Sequence, residues 1–458
     1  MAAPDTTTAD TPIAIPSVWS PPYRDLTIGL MLTITAAAFE TLAVSTILPT
    51  ITRELGGRDL YGWVFSAFLL TRLIGSTLAG TEVDRQGPAI PFLIGVGIFV
   101  AGLLLGGFAP STEILLAGRV VQGLGSGVIG SVSYAIIARG YPESVRPRML
   151  ALNSTAWIVP GLIGPAIAGL IGDFVGWRWV FLGLVPIPLL AAALSLRALR
   201  SLARQEQGPR DWNGAITAFQ LAFGTALLLI GLGQKLPWSV GLVAAGIAMS
   251  VPALRKLLPE GAFRAAPGLP AAVVCMGFVS MSFFGTDAFI PLALHDVRGL
   301  PSAVTGLALT AATITWTAGS WLLDRMVHRY SRRTFAVVGL ALIVVGIGIG
   351  ILVLHPELSP LIGIVAWSVA GLGIGLAYTT LSLATLDLAP VGREGSSAAA
   401  LQVTDVLGSA LGAGIGGVII ASYGNAAIAS ALQTQFLLMT AIAAIGMLIA
   451  MRLPGQRV

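Results

Sequence analysis

Fourteen stretches of mostly apolar residues, separated by short polar segments, follow one another along the chain. An α-helix needs ~20 mostly apolar residues to cross the hydrocarbon core of a bilayer. The pattern therefore predicts an all-α integral membrane protein with fourteen spans. The predicted spans cover residues 25–48, 60–80, 89–109, 113–138, 149–172, 178–197, 213–233, 238–255, 269–294, 302–323, 334–354, 360–386, 396–421 and 430–451.

The seventh and eighth spans leave a second interpretation open, in which residues 213–255 lie flat on the membrane surface. A helix of that kind needs one strongly polar face. Both segments are apolar on nearly every side, so the pattern favours two crossings.

Composition agrees with a membrane protein. Hydrophobic residues make up 55% of the chain and charged residues 10%, and the mean hydropathy is +0.87. This charge content is too low to cover the surface of a soluble protein. The net charge of +5 comes without a basic stripe interleaved with aromatics, so we expect no nucleic-acid partner. One cysteine and three scattered histidines predict no metal site, and we expect no bound cofactor.

Basic residues indicate how the chain is oriented. With the N-terminus in the cytoplasm, nineteen Lys and Arg residues fall in cytoplasmic segments, five in outer segments and two within spans. The positive-inside rule then places both termini in the cytoplasm. The first 24 residues are polar and lack the features of a signal peptide, so we expect a cytoplasmic tail. The preference for Arg over Lys is typical of a GC-rich bacterium, and we expect a bacterial inner-membrane protein.

The sequence also repeats itself. Residues 121–127 (VQGLGSG) resemble residues 369–375 (VAGLGIG). Parallel halves with the site between them at midplane are a known transporter plan. We therefore predict a tail at 1–24, a six-helix bundle at 25–200, a linker with two extra spans at 201–268, a second six-helix bundle at 269–452 and a tail at 453–458.

Four motifs occur at matching topological positions: residues 39–49 (FETLAVSTILP), 80–87 (GTEVDRQG), 119–127 (RVVQGLGSG) and 161–169 (GLIGPAIAG). Together they resemble the signatures of the Major Facilitator Superfamily, over nearly the whole chain after residue 24. Fourteen spans and the first-span motif are similar to its fourteen-spanner drug:proton antiporters. The chain departs from that pattern at Glu40, where this branch usually has Asp, and at Pro88 and Ala89, which replace a basic pair.

The resemblance implies roles for two of these motifs. The loop after the second span would be a conformational latch, and residues 324–333 would be its counterpart in the second half. The alternative is a solvated turn that holds a positive-inside arginine. The fifth span would be the antiporter helix, whose glycines allow close packing and whose proline permits a bend. The latch residues are Gly80, Asp84, Arg85, Gly87, Asp324 and Arg329, and the antiporter-helix residues are Gly161, Gly164, Pro165 and Gly169.

Charges inside the spans are the candidates for proton coupling or substrate binding. Placing one charged side chain at the bilayer centre costs ~3 kcal/mol of free energy. Such residues therefore face the interior of a helix bundle and pair with other polar groups there. Glu40 lies at nearly the same predicted depth as Arg72 and Arg119 and could pair with either, which leaves a static buried ion pair as the alternative role. Asp287 and Asp405 have no arginine in their own half, so desolvation should let them take up protons. Gln122, one turn after Arg119, completes the set.

These features predict a proton-coupled exporter of lipophilic or cationic compounds that works as a monomer, with protons, a small-molecule substrate and the bilayer as its partners. An exporter of an endogenous lipid or metabolite remains the main alternative. The chain has no phosphate-binding Gly-Lys loop, Ser-His-Asp set or Cys/His cluster within the spans, so we do not expect an enzyme. A sensor would need an output domain, for which the tails are too short.

Overall fold

A computed structural model describes residues 17–202, 212–326, 329–391, 393–424 and 427–455. Within these ranges the ordered elements are helices and no strand occurs, which confirms the predicted all-α class. Sixteen α-helices lie in the described residues. They are α1 Pro21–Leu55, α2 Tyr61–Gln86, α3 Ala89–Gly107, α4 Thr112–Gly140, α5 Arg146–Phe174, α6 Arg178–Leu182, α7 Pro186–Ser201, α8 Trp212–Leu232, α9 Trp238–Leu257, α10 Leu269–Asp287, α11 Ile290–Leu292, α12 Ser302–Met326, α13 Arg332–Leu352, α14 Ile362–Asp387, α15 Glu394–Tyr423 and α16 Ile428–Ala450.

In the described residues, thirteen helical segments are long and apolar enough to cross a membrane. The remaining predicted span, 302–323, is α12, whose 25 residues include five threonines, two glycines and two serines and which is too polar to be counted among the thirteen. Both α8 and α9 are among the thirteen, in agreement with two crossings in the linker.

Two predicted spans are interrupted, and proline explains both breaks. The span at 178–197 is divided into α6 and α7, with Pro186 at the start of α7. The span at 269–294 ends its first helix at Asp287 and resumes at α11, where Pro291 is in the first turn. A proline lacks the N–H that a continuing helix would use but fits a first turn. A π-helical turn, Ala293–Val297, then completes this span.

Helices α1–α7 form one bundle and α10–α16 form another. In the first bundle α2 and α3 pack on α4, and in the second α12 and α13 pack on α14 in the same way. The glycines of the repeated segments, 121–127 and 369–375, explain why the two bundles pack alike. A Cβ at Gly123 would overlap the backbone of Phe68 on α2, and one at Gly371 would overlap the backbone of Ala312 on α12. Small residues let membrane helices approach this closely.

The bundles meet along two seams, where α2 packs against α15 and α5 packs against α12. The hairpin of α8 and α9 stands beside the first seam, with α8 against both α2 and α15. Because the long helices alternate in direction, α1 begins and α16 ends on the same side of the bundle. We name this side the terminal face, and the opposite side, where α1 ends and α12 begins, the distal face.

Candidate functional site

A buried ion pair links α1 to α4 in the first bundle. The Arg119 guanidinium, 1% exposed, forms a salt bridge with Glu40. It also donates to Gln122 Oε1 at 2.9 Å and to the Val64 carbonyl at 3.2 Å, and it lies 4.1 Å from the Phe68 ring centroid. The structure thus selects Arg119, rather than Arg72, as the partner of Glu40. This geometry favours the static ion pair over a free substrate-binding carboxylate.

Asp287 and Trp367 occupy the corresponding positions in the second bundle. Trp367 lies two residues before the repeated 369–375 segment, as Arg119 lies two residues before 121–127. Its indole N–H donates to Asp287 Oδ1 at 2.7 Å. This contact agrees with the prediction that Asp287 has no arginine partner in its own half, because the neutral indole of Trp367 takes the place of an arginine.

Asp405 lies where three helices meet. Ser280 on α10 donates to Asp405 Oδ1 at 2.6 Å, and Tyr378 on α14 donates to Asp405 Oδ2 at 3.0 Å. Arg72 on α2 is within electrostatic reach of the carboxylate. This agrees with the prediction that Asp405 has no arginine in its own half, because Arg72 reaches it from the other half, where α2 packs against α15 across the seam.

A cavity of about 210 Å³ lies beside Asp405, between α14 and α15. It sits toward the terminal face, where α14 ends and α15 begins. Its lining combines polar and charged side chains with apolar ones, which is the usual composition of a small-molecule site. The lining residues are Tyr378, Ser382, Thr385, Leu386, Ala398, Leu401, Gln402 and Asp405.

Five aromatic side chains form a continuous cluster from this cavity to Asp287. The Trp316 ring centroid lies 5.5 Å from that of Tyr378, 6.1 Å from that of Phe284 and 5.8 Å from that of Phe283. Phe283 stacks in turn on Trp367 at 5.3 Å. Sequence analysis missed this cluster because its members come from α10, α12 and α14 and follow no short motif. A partly exposed aromatic wall next to a carboxylate can hold a flat apolar or cationic group.

The latch residues lie at the terminal face. Arg85 is 3.9 Å from Glu82, one turn earlier on α2. Gly87 ends that helix with φ 77°, in the left-handed region that favours glycine. Gly80 faces open space, and Asp324 and Arg329 are exposed at the end of α12. The Asp84 side chain and His328 lie outside the described residues.

The glycines of the antiporter motif face neighbouring helices. A Cβ at Gly169 would lie 2.6 Å from the Ser302 carbonyl oxygen on α12, and Gly161 faces Thr313 of the same helix. Gly164 packs on Phe39 of α1, and Gly306 of α12 approaches the Pro165 carbonyl. The small residues of this motif therefore form much of the seam between α5 and α12.

Replacing Gly169 with valine should destabilise the protein. Overpacking a close contact costs about 1–3 kcal/mol, and at Gly169 the added atoms would meet backbone on α12. The matched control is Gly130→Val, because a Cβ at Gly130 meets nothing within 4 Å. Thermal unfolding in detergent should show a lower midpoint for Gly169→Val than for the control, and equal midpoints would contradict this description of the seam.

Polar contacts between the two bundles occur at the distal face. Thr50 on α1 hydrogen-bonds to Ser302 on α12 at 2.9 Å. Asp173 at the end of α5 accepts from the backbone N–H groups of Ser302 and Ala303 at 3.2 and 2.9 Å, which caps α12. Tyr61 donates to the Ala288 carbonyl at 3.0 Å. These contacts hold the distal ends together, while the cavity lies toward the terminal face.

Comparison with known proteins agrees with this arrangement. The sequence profile of the Major Facilitator Superfamily matches residues 29–404 and 272–457. A "Probable multidrug-efflux transporter" of Mycobacterium tuberculosis is 30% identical over 449 residues, which is 90% of each chain. The "Multidrug transporter protein MdtP" of Bacillus subtilis is 25% identical over 369 residues, which is 78% of this chain and 68% of that one.

Solved structures have the same fold. A bacterial homologue of the human lysosomal transporter Spinster, described as inward-facing and unoccupied, gives a TM-score of 0.69 with 18% identity, and the match covers 94% of this chain and 97% of that one. A peptide transporter of the POT family in complex with alafosfalin gives 0.68 with 15% identity, over 93% and 94% of the two chains.

Proposed function

Because the chain belongs to the Major Facilitator Superfamily and is a multi-pass membrane transporter rather than an enzyme, we propose that it exports lipophilic or cationic compounds in exchange for protons. The names of the two bacterial relatives support the substrate class. The proton gradient would be the energy source, and no bound cofactor is needed. We place the protein in the bacterial inner membrane as a monomer.

The observation that carries the proposal is the environment of Asp405. This carboxylate lines the cavity and is held by Ser280 and Tyr378, with Arg72 of the other bundle nearby. A carboxylate in a membrane protein interior is a costly residue that usually marks an ion or substrate pathway. Asp405 can bind either a proton or a cationic substrate, and the two would compete for the same two carboxylate oxygens.

Competition at one carboxylate is sufficient to couple the two fluxes. In the state open to the cytoplasm, substrate binding would displace the proton from Asp405. In the state open to the outside, a proton would displace the substrate and allow the empty carrier to return. One pH unit corresponds to about 1.4 kcal/mol per proton, or a tenfold concentration ratio of substrate.

Orientation follows from the distribution of positive charge. Among the described residues, sixteen Lys and Arg lie at the terminal face and five at the distal face, and we place the terminal face in the cytoplasm. The cavity beside Asp405 then lies toward the cytoplasmic side, and the contacts of Thr50, Asp173 and Tyr61 join the two bundles at the outer side. We take this arrangement as an inward-facing state of the proposed alternating-access cycle.

The test is transport by purified protein in liposomes with an imposed pH gradient. The panel should contain ethidium as a flat lipophilic cation, neutral lipophilic drugs and a fluorescent phospholipid. Gradient-dependent movement of ethidium or a neutral drug, abolished by a protonophore, is the expected result. Movement of the phospholipid alone would support the endogenous-lipid alternative, and transport that ignores the gradient would contradict proton coupling.

The latch gives a separate prediction. Arg85→Ala should lower the initial rate of gradient-driven efflux about tenfold while the amount of protein in the membrane stays unchanged, because the proposed role is to stabilise the outward-open state. Arg24→Ala, an exposed arginine at the same face, is the control. Wild-type rates in both variants, measured in vesicles with equal protein content, would support the solvated-turn interpretation.

A further inference from the structure

A further carboxylate, Asp296, joins the two bundles at the distal face. It lies in the π-helical turn Ala293–Val297 of the second bundle, and its side chain is only 2% exposed. Two arginines of the first bundle hold it. Arg53 of α1 donates to Asp296 Oδ1 at 3.2 Å, and Arg58, in the turn before α2, forms a salt bridge with Oδ2.

The neighbouring histidine belongs to the same cluster. His295 Nδ1 lies 2.8 Å from Asp296 Oδ1 and 3.1 Å from Arg53 Nη2, and His295 Nε2 lies 3.4 Å from the Thr50 hydroxyl. The turn therefore places one carboxylate among positive and polar groups of the other bundle. Isolated π-turns inside helices often occur at functional sites, because they redirect side chains that a regular helix would point elsewhere.

Both arginines that hold Asp296 lie across the seam, in the first bundle. The nearest arginine of its own bundle, Arg298, donates to the Val353 and His355 carbonyls at 2.8 and 2.9 Å instead. Separation of the bundles at the distal face would therefore take Asp296 away from both Arg53 and Arg58. Breaking such a pair is costly when the carboxylate is shielded from solvent.

We propose that Asp296, Arg53 and Arg58 form the charged lock that keeps the distal side of the transporter closed. The inference rests on the alternating-access part of the proposed function. The lock is distinct from Asp405, which lies at the cavity and would bind the proton and the substrate. Asp296 acts on the equilibrium between the two states and not on substrate contact, so it is a positioning residue.

The test is a distance measurement across the distal face by double electron–electron resonance. Cys275, the one cysteine of the chain, is buried and is replaced by alanine. Spin labels are then placed at Glu113→Cys in the first bundle and Glu357→Cys in the second, both exposed at the distal face. The protein is reconstituted in nanodiscs without substrate or pH gradient, so the readout does not depend on proton coupling.

Asp296→Asn should move the distance distribution toward longer values, with at least a tenfold increase in the ratio of open to closed population. Arg53→Gln combined with Arg58→Gln should do the same, and Asp296→Glu, which keeps the charge, should restore the closed distribution. Asp59→Asn, an exposed carboxylate next to Arg58, is the matched control and should leave the distribution unchanged. An Asp296→Asn distribution that superimposes on the wild type would overturn the lock, even if pH-driven export were fully established.

Discussion

Replacing Asp405 with asparagine is expected to abolish pH-driven efflux while substrate still binds, with lower affinity for cations, because the amide oxygen and the aromatic side chains beside the cavity still contact the compound. Asparagine keeps the size of the side chain and can still bond Ser280 and Tyr378, but it cannot exchange a proton. The tenfold substrate gradient that one pH unit sustains per proton should therefore collapse to none. The measurement is uptake into inverted vesicles, with binding followed separately on the purified variant.

Two other variants make this result specific. Asp25→Asn removes an exposed carboxylate at the start of α1 and should transport at the wild-type rate. Asp287→Asn should also abolish pH-driven efflux, because Asp287 is the second carboxylate inside this bundle and its hydrogen-bond partner, Trp367, is neutral. A full response to the gradient in Asp405→Asn, with its loss in Asp287→Asn, would move the proton site to Asp287.

The second large effect is expected at the buried ion pair. Replacing Arg119 with methionine leaves Glu40 buried, 2% exposed, without its cation. Removal of one partner of a buried pair costs roughly 3–5 kcal/mol, whereas replacement of both by apolar residues is often nearly neutral. We therefore expect Arg119→Met to lower the unfolding midpoint strongly, and Glu40→Met combined with Arg119→Met to recover most of the loss.

Thermal unfolding in detergent, monitored by tryptophan fluorescence, compares the two single variants, Arg119→Met and Glu40→Met, and the double variant with the wild type. The informative quantity is the difference between the double variant and the sum of the two single variants. A double variant that is destabilised by the full sum would show that Glu40 and Arg119 do not act as a pair. If Glu40 contacts substrate, Glu40→Gln should weaken the binding of cationic substrates more than that of neutral ones, whereas its salt bridge with Arg119 favours a structural role.

Hydrophobic patterning predicted the fold well because each crossing has to satisfy the same length and polarity requirements. The threonine-rich α12 shows the limit of the signal, since much of that helix packs against α5 and α14 and needs less apolar surface. The helix breaks at 183–185 and 288–289 were missed, because a proline inside an apolar stretch either bends one helix or begins another. Packing decides between these outcomes, and packing is not local in sequence.

Position along a predicted span gives the approximate depth of a charged residue but not the direction of its side chain. Arg72 and Arg119 occur at similar predicted depth, yet only the rotation of each helix determines that Arg119 faces Glu40 while Arg72 faces the seam. The neighbours of Asp405 come from α2, α10 and α14, and no short sequence motif predicts that these three helices meet there. Asp296 was overlooked because an acid after an apolar stretch resembles an ordinary loop residue until the π-turn brings it to Arg53 and Arg58.

The most direct measurement of the central claim is proton release on substrate binding. Purified transporter in a weakly buffered solution with a pH indicator is mixed with a lipophilic cation that the liposome panel identifies as transported. The wild type is expected to release protons in proportion to bound substrate, and Asp405→Asn, mixed at a concentration that offsets its weaker binding, to bind the compound without release. Equal release from both proteins, or binding by the wild type with no release, would contradict the proposal that proton and substrate compete at Asp405.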